Sequence, residues 1–376
     1  MNLAEMLAYA DIQDLCRIAK TYDCDCSSNS KHQLIQSILS VIGKRELFEE
    51  QIGGLQTEDI RFLNSLLFDR RNKFSLEELM ARANQTKFDP EERAEWNPRE
   101  LIAQFKRRGW LFNGHSQHTR YLFLVPEDLK RRFREAMAKR FGTSLVATGR
   151  EPAVYRDEQT LLSADLQAFL RTVGKQPLPL SADGYLYKKN LQQLLDGLAV
   201  PEEMIGRTAW RFGYGRRYKE YPDRFSLLYD FCYFSGLLEE TGPELTLTPA
   251  GQAAATAAPA DRVKELYEFW LKLYKGPIPN LQAIVHWIEQ LAGDWVTVDS
   301  LEQVLLPLIK PYYYDAPSSI LRQRILANLL HLGLLRLGQD EGHGEVACIT
   351  PLGRVVIRGI YVPEEEKGIE LSIDKL

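Results

Sequence analysis

The sequence predicts a mainly α-helical fold with small β wings: three tandem winged-helix modules preceded by a small helical N-terminal segment. Three observations predict it. Three separate stretches place apolar residues eight and four positions ahead of a glycine, the pattern of a helix with one buried face that ends in a left-handed turn. After each glycine come two bulky apolar residues, a polar turn and a second apolar segment that runs into a proline. Two further helical patterns precede each stretch. Helix, helix, helix, strand, turn, strand is the order of a winged helix-turn-helix.

The glycines are Gly109, Gly236 and Gly333. Position −8 is Leu101, Leu228 and Ile325, and position −4 is Phe105, Cys232 and Leu329. The apolar pairs are Trp110-Leu111, Leu237-Leu238 and Leu334-Leu335, and the return segments end at Pro126, Pro249 and Pro351. Upstream helices are expected at 58–67 and 76–83, at 163–173 and 191–198, and at 281–291 and 298–309. Leu245 and Leu247 alternate with Thr246 and Thr248, which predicts a half-buried edge strand. The modules are expected at 51–145, 155–260 and 261–376, with linkers at 141–157 and 253–260. The second linker is alanine-rich and can continue a helix. The tail after Pro363 is acidic and reads as solvated.

Residues 1–50 read as small helices. Asp11 can cap a helix with Ile12, Leu15, Cys16 and Ala19 on one face. After a polar loop, Ser30 or Asn29 can cap a second one carrying Leu34, Ile35, Ile38, Leu39 and Ile42. This pairing resembles a SAP-type helix-loop-helix. The alternative is a helical cap on the rest of the chain.

Composition bounds the function. Of 376 residues, 45% are hydrophobic and 26% charged, so the chain can bury cores. A formal charge of −4 excludes a protein that coats nucleic acid by charge alone and leaves room for a local basic face. The five cysteines (Cys16, Cys24, Cys26, Cys232, Cys348) are few and odd in number, which argues for a reducing, cytoplasmic setting. The N-terminus has no basic region followed by an apolar one, so no signal peptide is expected. The most apolar run, 325–337, is broken by His331, Gly333 and Arg336, so no membrane span is expected.

Catalytic patterns are missing. There is no P-loop, no His-Glu-x-x-His and no Gly-x-Ser-x-Gly, and Gly213-Tyr214-Gly215 is no dinucleotide fingerprint. His115 and His118 fall in the first expected wing. Cys24 and Cys26, with Cys16 and His32, form the single metal-like group, without the second ligand pair that zinc wants. A catalytic metal site would have to recruit Glu364–Glu366, and nothing in the pattern predicts it. The expectation is therefore no enzyme, no metal and no cofactor.

The charge distribution is more informative. From Asn97 to Arg150 twelve bases face four acids, a local +8. This run covers the third helix and wing of the first module, where such proteins commonly touch DNA. Its candidate contacts are Lys106, Arg107, Arg108, Arg120, Arg131 and Arg134, with helix capping as the alternative for the first three. A second run, 205–224, has six bases and two acids. Arg211, Arg216, Arg217 and Lys219 there alternate with Trp210, Phe212, Tyr214 and Tyr218, which suits phosphate contact with base stacking. The alternative is a long connection with its aromatics packed beneath it and its arginines left in water. The third module's helix offers Arg322 and Arg324 on a mostly apolar face and reads as a protein-docking element.

The stretch Leu178-Pro179-Leu180-Ser181-Ala182-Asp183-Gly184-Tyr185-Leu186-Tyr187-Lys188-Lys189-Asn190-Leu191, with the later Gly236-Leu237-Leu238 and Leu245-Thr246-Leu247-Thr248-Pro249-Ala250-Gly251, resembles bacterial helicase-associated winged-helix proteins. These are related to the N-terminal region of XPB-type helicases. The resemblance implies non-catalytic work on DNA beside a motor. This chain has no motor motifs, so the motor would act in trans as a protein partner. The expected function is non-catalytic DNA binding, to duplex or to a fork or junction, in repair, replication or transcription. A protein–protein scaffold is the alternative.

Overall fold

The computed structural model describes residues 1–24, 30–89, 91, 96–206, 213–258, 261–363 and 368–369. The chain divides into two units, Met1–Leu145 and Val146–Leu376. Helices dominate both, and the strands are short and antiparallel.

The first unit opens with α1 (Leu3–Tyr9), α2 (Ile12–Thr21), α3 (Lys31–Gly43) and α4 (Arg45–Gly53). Asp11 caps α2 and Ser30 caps α3, each accepting from the backbone N–H three residues on. Helix α1 was not foreseen. It is held by a reciprocal cap in which Asn2 and Glu5 each accept the other's N–H, at 2.8 and 3.0 Å. Next come α5 (Thr57–Leu67), α6 (Leu76–Asn84), α7 (Pro98–Arg107), β1 (Phe112–Asn113), β2 (Phe123–Leu124) and α8 (Glu127–Gly142). Residues 1–50 share their core with the rest of the unit: α2 packs on α7 and α4 on α8. At the centre Trp110 is fully buried, edge-on to Phe105 at 5.4 Å and to Phe133 at 5.0 Å.

The second unit contains β3 (Val154–Arg156), α9 (Leu161–Lys175), β4 (Leu178–Pro179), α10 (Lys188–Asp196), α11 (Asp223–Phe234), β5 (Leu238–Thr241), β6 (Glu244–Leu247) and α12 (Pro249–Thr256). The alanine-rich stretch continues α12, as the sequence allowed. Then follow α13 (Val263–Tyr274), α14 (Leu281–Leu291), β7 (Val296–Thr297) and α15 (Val298–Leu305). The next helical segment, α16, runs from Pro317–Ser319 through a π-helical Ile320–Leu326 to Ala327–His331. A hairpin of β8 (Leu335–Asp340) and β9 (Gly344–Ile349) leads into α17 (Pro351–Gly359).

One connectivity occurs three times: helix, strand, helix, helix, hairpin, with the first strand paired to the last. Phe74 pairs with Phe123 of β2, β4 with β6, and β7 with β9. The Leu245 segment is therefore the middle strand of the order β4-β6-β5, not an edge. Its alternation signals two faces and carries no information about how many neighbours pair with it.

The three repeat glycines take φ of +65°, +65° and +68°. In each case the next residue's N–H reaches the carbonyl of position −4: Trp110 to Phe105 at 3.0 Å, and Leu237 to Cys232 and Leu334 to Leu329 at 2.8 Å. The sequence repeat is a helix C-cap in which glycine is the residue that takes positive φ without strain. The second unit adds a device that the sequence reading stopped short of. Thr248 and Thr350, just before the prolines, donate their hydroxyls to the carbonyls of Gly236 and Gly333, at 2.5 and 2.8 Å. The same hydroxyls accept from Gly251 and Gly353, at 3.0 and 2.9 Å. Thr-Pro-x-Gly thus ties the exit of each hairpin to the turn before it. Among the described residues, no helix is long and apolar enough to cross a membrane.

Candidate nucleic-acid interface

Helix α7 starts at Asn97, whose side chain accepts from the Arg99 N–H at 3.0 Å, with Pro98 in the first turn. Leu101, Ile102 and Phe105 are buried, and Phe105 meets Phe62 edge-on at 4.9 Å. The opposite face leaves Arg99, Glu100 and Arg107 exposed and Lys106 half-buried. Arg99, Lys106 and Arg107 stand seven and eight residues apart, hence on one side of the helix.

The hairpin after α7 is fixed at its root. Phe74 and Phe123 exchange backbone hydrogen bonds of 2.9 and 2.7 Å. Phe74 is fully buried beneath the Arg82 guanidinium, 4.7 Å from the ring. Arg82 is itself buried against Asp69 at 2.5 Å, and Arg71 grips the same carboxylate at 2.9 Å. From this base one hydrogen-bond chain joins helix to hairpin. Lys106 Nζ donates to Asn113 Oδ1 at 2.8 Å, and Asn113 Nδ2 donates to the Arg120 carbonyl at 3.1 Å. The Arg120 guanidinium lies 4.7 Å over the Tyr121 ring and donates to its hydroxyl. Among the described residues, no carboxylate pairs with Arg99, Lys106, Arg107 or Arg120. The surface therefore offers three exposed arginines and a half-buried lysine on one helix and its hairpin, the residue types that contact phosphates.

Other predicted contacts are placed differently. Arg108 turns inward, 4.8 Å over the Trp110 ring and 4.0 Å from Asp59 Oδ2, while its carbonyl accepts the Tyr22 hydroxyl at 2.7 Å. It caps the helix rather than facing solvent. The bases of α8 divide. Lys130 reaches Asn72 at 2.8 Å, Lys139 reaches Glu49 at 2.5 Å and Arg140 reaches the Ile52 carbonyl at 2.7 Å. Arg131 is exposed and Arg134 half-buried, and among the described residues no hydrogen bond ties either to the hairpin.

The second basic run is corrected more heavily. Trp210, Arg211 and Phe212 lie outside the described residues. Arg216 and Arg217 both close on Glu240, at 2.5 and 2.8 Å, and the Tyr229 hydroxyl donates to the same carboxylate at 2.8 Å. Arg217 is only 7% exposed. Burial pushes the Glu240 carboxyl up, but the bonds from Arg216, Arg217 and Tyr229 outweigh it and hold it at about 2. Tyr214 is no open stacking surface either: it is buried edge-on against Tyr274 at 5.1 Å and Tyr312 at 5.6 Å. Tyr218 is half-buried against Gly213, and Lys219 is exposed. The packed-connection alternative describes Tyr214, but its wet arginines do not describe Arg216 and Arg217, which Glu240 holds in ion pairs.

Neither later helix matches α7. Residues 224–232 of α11 are all buried, and Arg224 sits between Glu158 at 3.0 Å and Asp165 at 2.6 Å. In α16, Arg322 is held by Asp299, Glu302 and Glu345 at 2.6 to 2.7 Å, and Arg324 by Asp315 at 3.0 Å. The outer edge of β8 is covered by β3. No group of three potential metal ligands occurs among the described residues, and Cys26 lies outside them. His115 instead stacks on Tyr9, with ring centroids 4.6 Å apart.

The sequence reading missed Asn113 and Tyr121, and counted Arg99 without placing it. The i, i+7 spacing from Arg99 to Lys106 was the signal available for it. Tyr9 left no signal, because nothing local connects α1 to the hairpin. Compared with known proteins, the chain matches no family model, no curated protein and no solved structure.

Proposed function

We propose that this chain is a non-catalytic DNA-binding protein built from three winged-helix modules, of which the first carries the DNA. The repeated connectivity and the three glycine caps support the modules. One observation carries the DNA reading: Arg99, Arg107 and Arg120 stand exposed and Lys106 half-buried on one helix and its hairpin, with Lys106 tied to the hairpin through Asn113. In this reading α7 lies against the duplex, and Arg120 on the wing takes a backbone phosphate. Arg131 and Arg134 are further phosphate contacts outside that surface. The second unit, whose corresponding helices are occupied by internal ion pairs, serves a protein partner. The resemblance to helicase-associated proteins suggests a DNA motor acting in trans.

The scaffold reading draws on that same second unit, in which Arg216, Arg217, Arg224 and Arg322 all meet carboxylates. The two readings separate in a titration of the whole chain with labelled duplex, forked and single-stranded DNA at two salt concentrations. DNA binding predicts an affinity that falls steeply with salt. No binding to any form at low salt overturns it and leaves the scaffold.

A further inference from the structure

We infer that the first hairpin carries a stacking site for an unpaired base, formed by Tyr9, His115 and Tyr121. The preferred ligand is then a duplex with a single-stranded arm rather than a continuous duplex. This rests on the DNA reading above and adds to it the form of DNA.

Exposed aromatics carry information where they cluster, and Tyr9 and Tyr121, 63% and 64% exposed, both adjoin His115 in the fold. They are brought to one place. The Gly114 N–H donates to the Leu122 carbonyl at 2.9 Å, extending the β1–β2 pairing, so His115 and Tyr121 are the next residues outward on the two limbs. Tyr9 reaches His115 from α1, and their rings stack at 26° between planes. An edge-on pair turns its two rings across each other, so they offer no common stacking direction. A stacked pair leaves its outer face open and parallel, where a base can extend it.

The helix that carries Tyr9 is anchored at its start. The Leu3 N–H donates to Asp128 at 2.9 Å, and the Met1 carbonyl accepts from the Glu127 N–H at 3.0 Å. Helix α1 is thereby fastened to the start of α8, next to the point where β2 leaves the hairpin. Arg120, the duplex-phosphate contact of the hairpin, lies over the Tyr121 ring, so the stacking site adjoins the point where an arm would leave the duplex. Cations beside open aromatic faces are what single-strand binders use, because every base has a face to stack and every nucleotide a phosphate.

The test is a fluorescence-anisotropy titration of the full chain with a blunt duplex and with the same duplex bearing an unpaired arm. The wild type is expected to bind the armed duplex roughly tenfold more tightly. Tyr9→Ala should remove that preference and leave blunt-duplex affinity within about twofold, and Tyr121→Ala should remove the preference as well. Tyr9→Phe, which keeps the ring, should retain it, and Arg107→Glu should weaken both ligands alike. Equal affinity of the wild type for the two ligands, or a preference that survives both alanine variants, overturns the stacking site while the DNA reading stands. Failure to bind either ligand overturns the DNA reading and the stacking site together.

Discussion

Helices α7 and α11 hold the same place in their segments, between a second helix and a hairpin, and both end on a glycine at φ +65°. Their outward faces differ. Helix α7 leaves Arg99 and Arg107 exposed. In α11, Arg224 is fully buried between Glu158 and Asp165, and the arginines ahead of it, Arg216 and Arg217, close on Glu240 in the following hairpin. Position in the repeat decides which residues enter the core and where glycine is needed. It does not decide what a cation does. That depends on whether the fold brings a carboxylate to it.

The largest effect should come from breaking the buried side of this comparison. Arg224→Ala removes the cation paired with buried Asp165, leaving it the Ala199 and Val200 N–H groups, while Glu158 keeps Arg156 and His331; it should cost about 3 kcal/mol, read as a lower urea midpoint. Acid should act on the same unit through Glu240. Its carboxyl is held at about 2 against an ordinary 4.5, so its ion pairs contribute fully above pH 4.5 and are lost as pH falls toward 2. Glu240→Gln should flatten that part of the stability–pH curve and lower stability at neutral pH.

On the open side, reversing Arg107 and Arg120 together should weaken DNA binding about tenfold or more at low salt. The fold should be little affected, with stability within about 0.5 kcal/mol, because both side chains are exposed. The shared turn gives the smallest effect. Gly236→Ala has open space for its methyl and should cost about 1 kcal/mol for the left-handed backbone alone. Gly333→Ala should cost more, since its Cβ would lie 1.8 Å from the Gln159 carbonyl oxygen. Equal melting temperatures for the two variants would show that the close approach at Gly333 relaxes freely.

The backbone plan was legible because it is written in local rules. Phe105, Cys232 and Leu329 could be read as core positions from helical spacing, and all three are buried. The glycines could be read as caps because an L side chain is strained there. The candidate surface was legible only where exposure follows from local spacing, as for Arg107 and Arg120, which are exposed, and Lys106, which is half-buried. Arg216 and Arg217 were misread because Glu240 lies more than twenty residues on, and the fold alone brings it to them. Arg108 was misread because two adjacent arginines at a helix end point to different sides, one over Trp110 and one to solvent. Tyr9 was missed for a third reason: its partner His115 is more than a hundred residues away, and only the packing of α1 on α8 unites them.

The most direct measurement is the slope of log affinity against log salt for duplex DNA. It should be taken on the wild type, on Arg107→Gln with Arg120→Gln, and on Lys188→Gln with Lys219→Gln, two exposed lysines of the second unit. Each phosphate contact removed should lower the slope by about one. The slope should fall by about two in the first pair and stay at the wild-type value in the second. An unchanged slope in the first pair, or a fall confined to the second, would contradict the assignment of DNA binding to α7 and its hairpin.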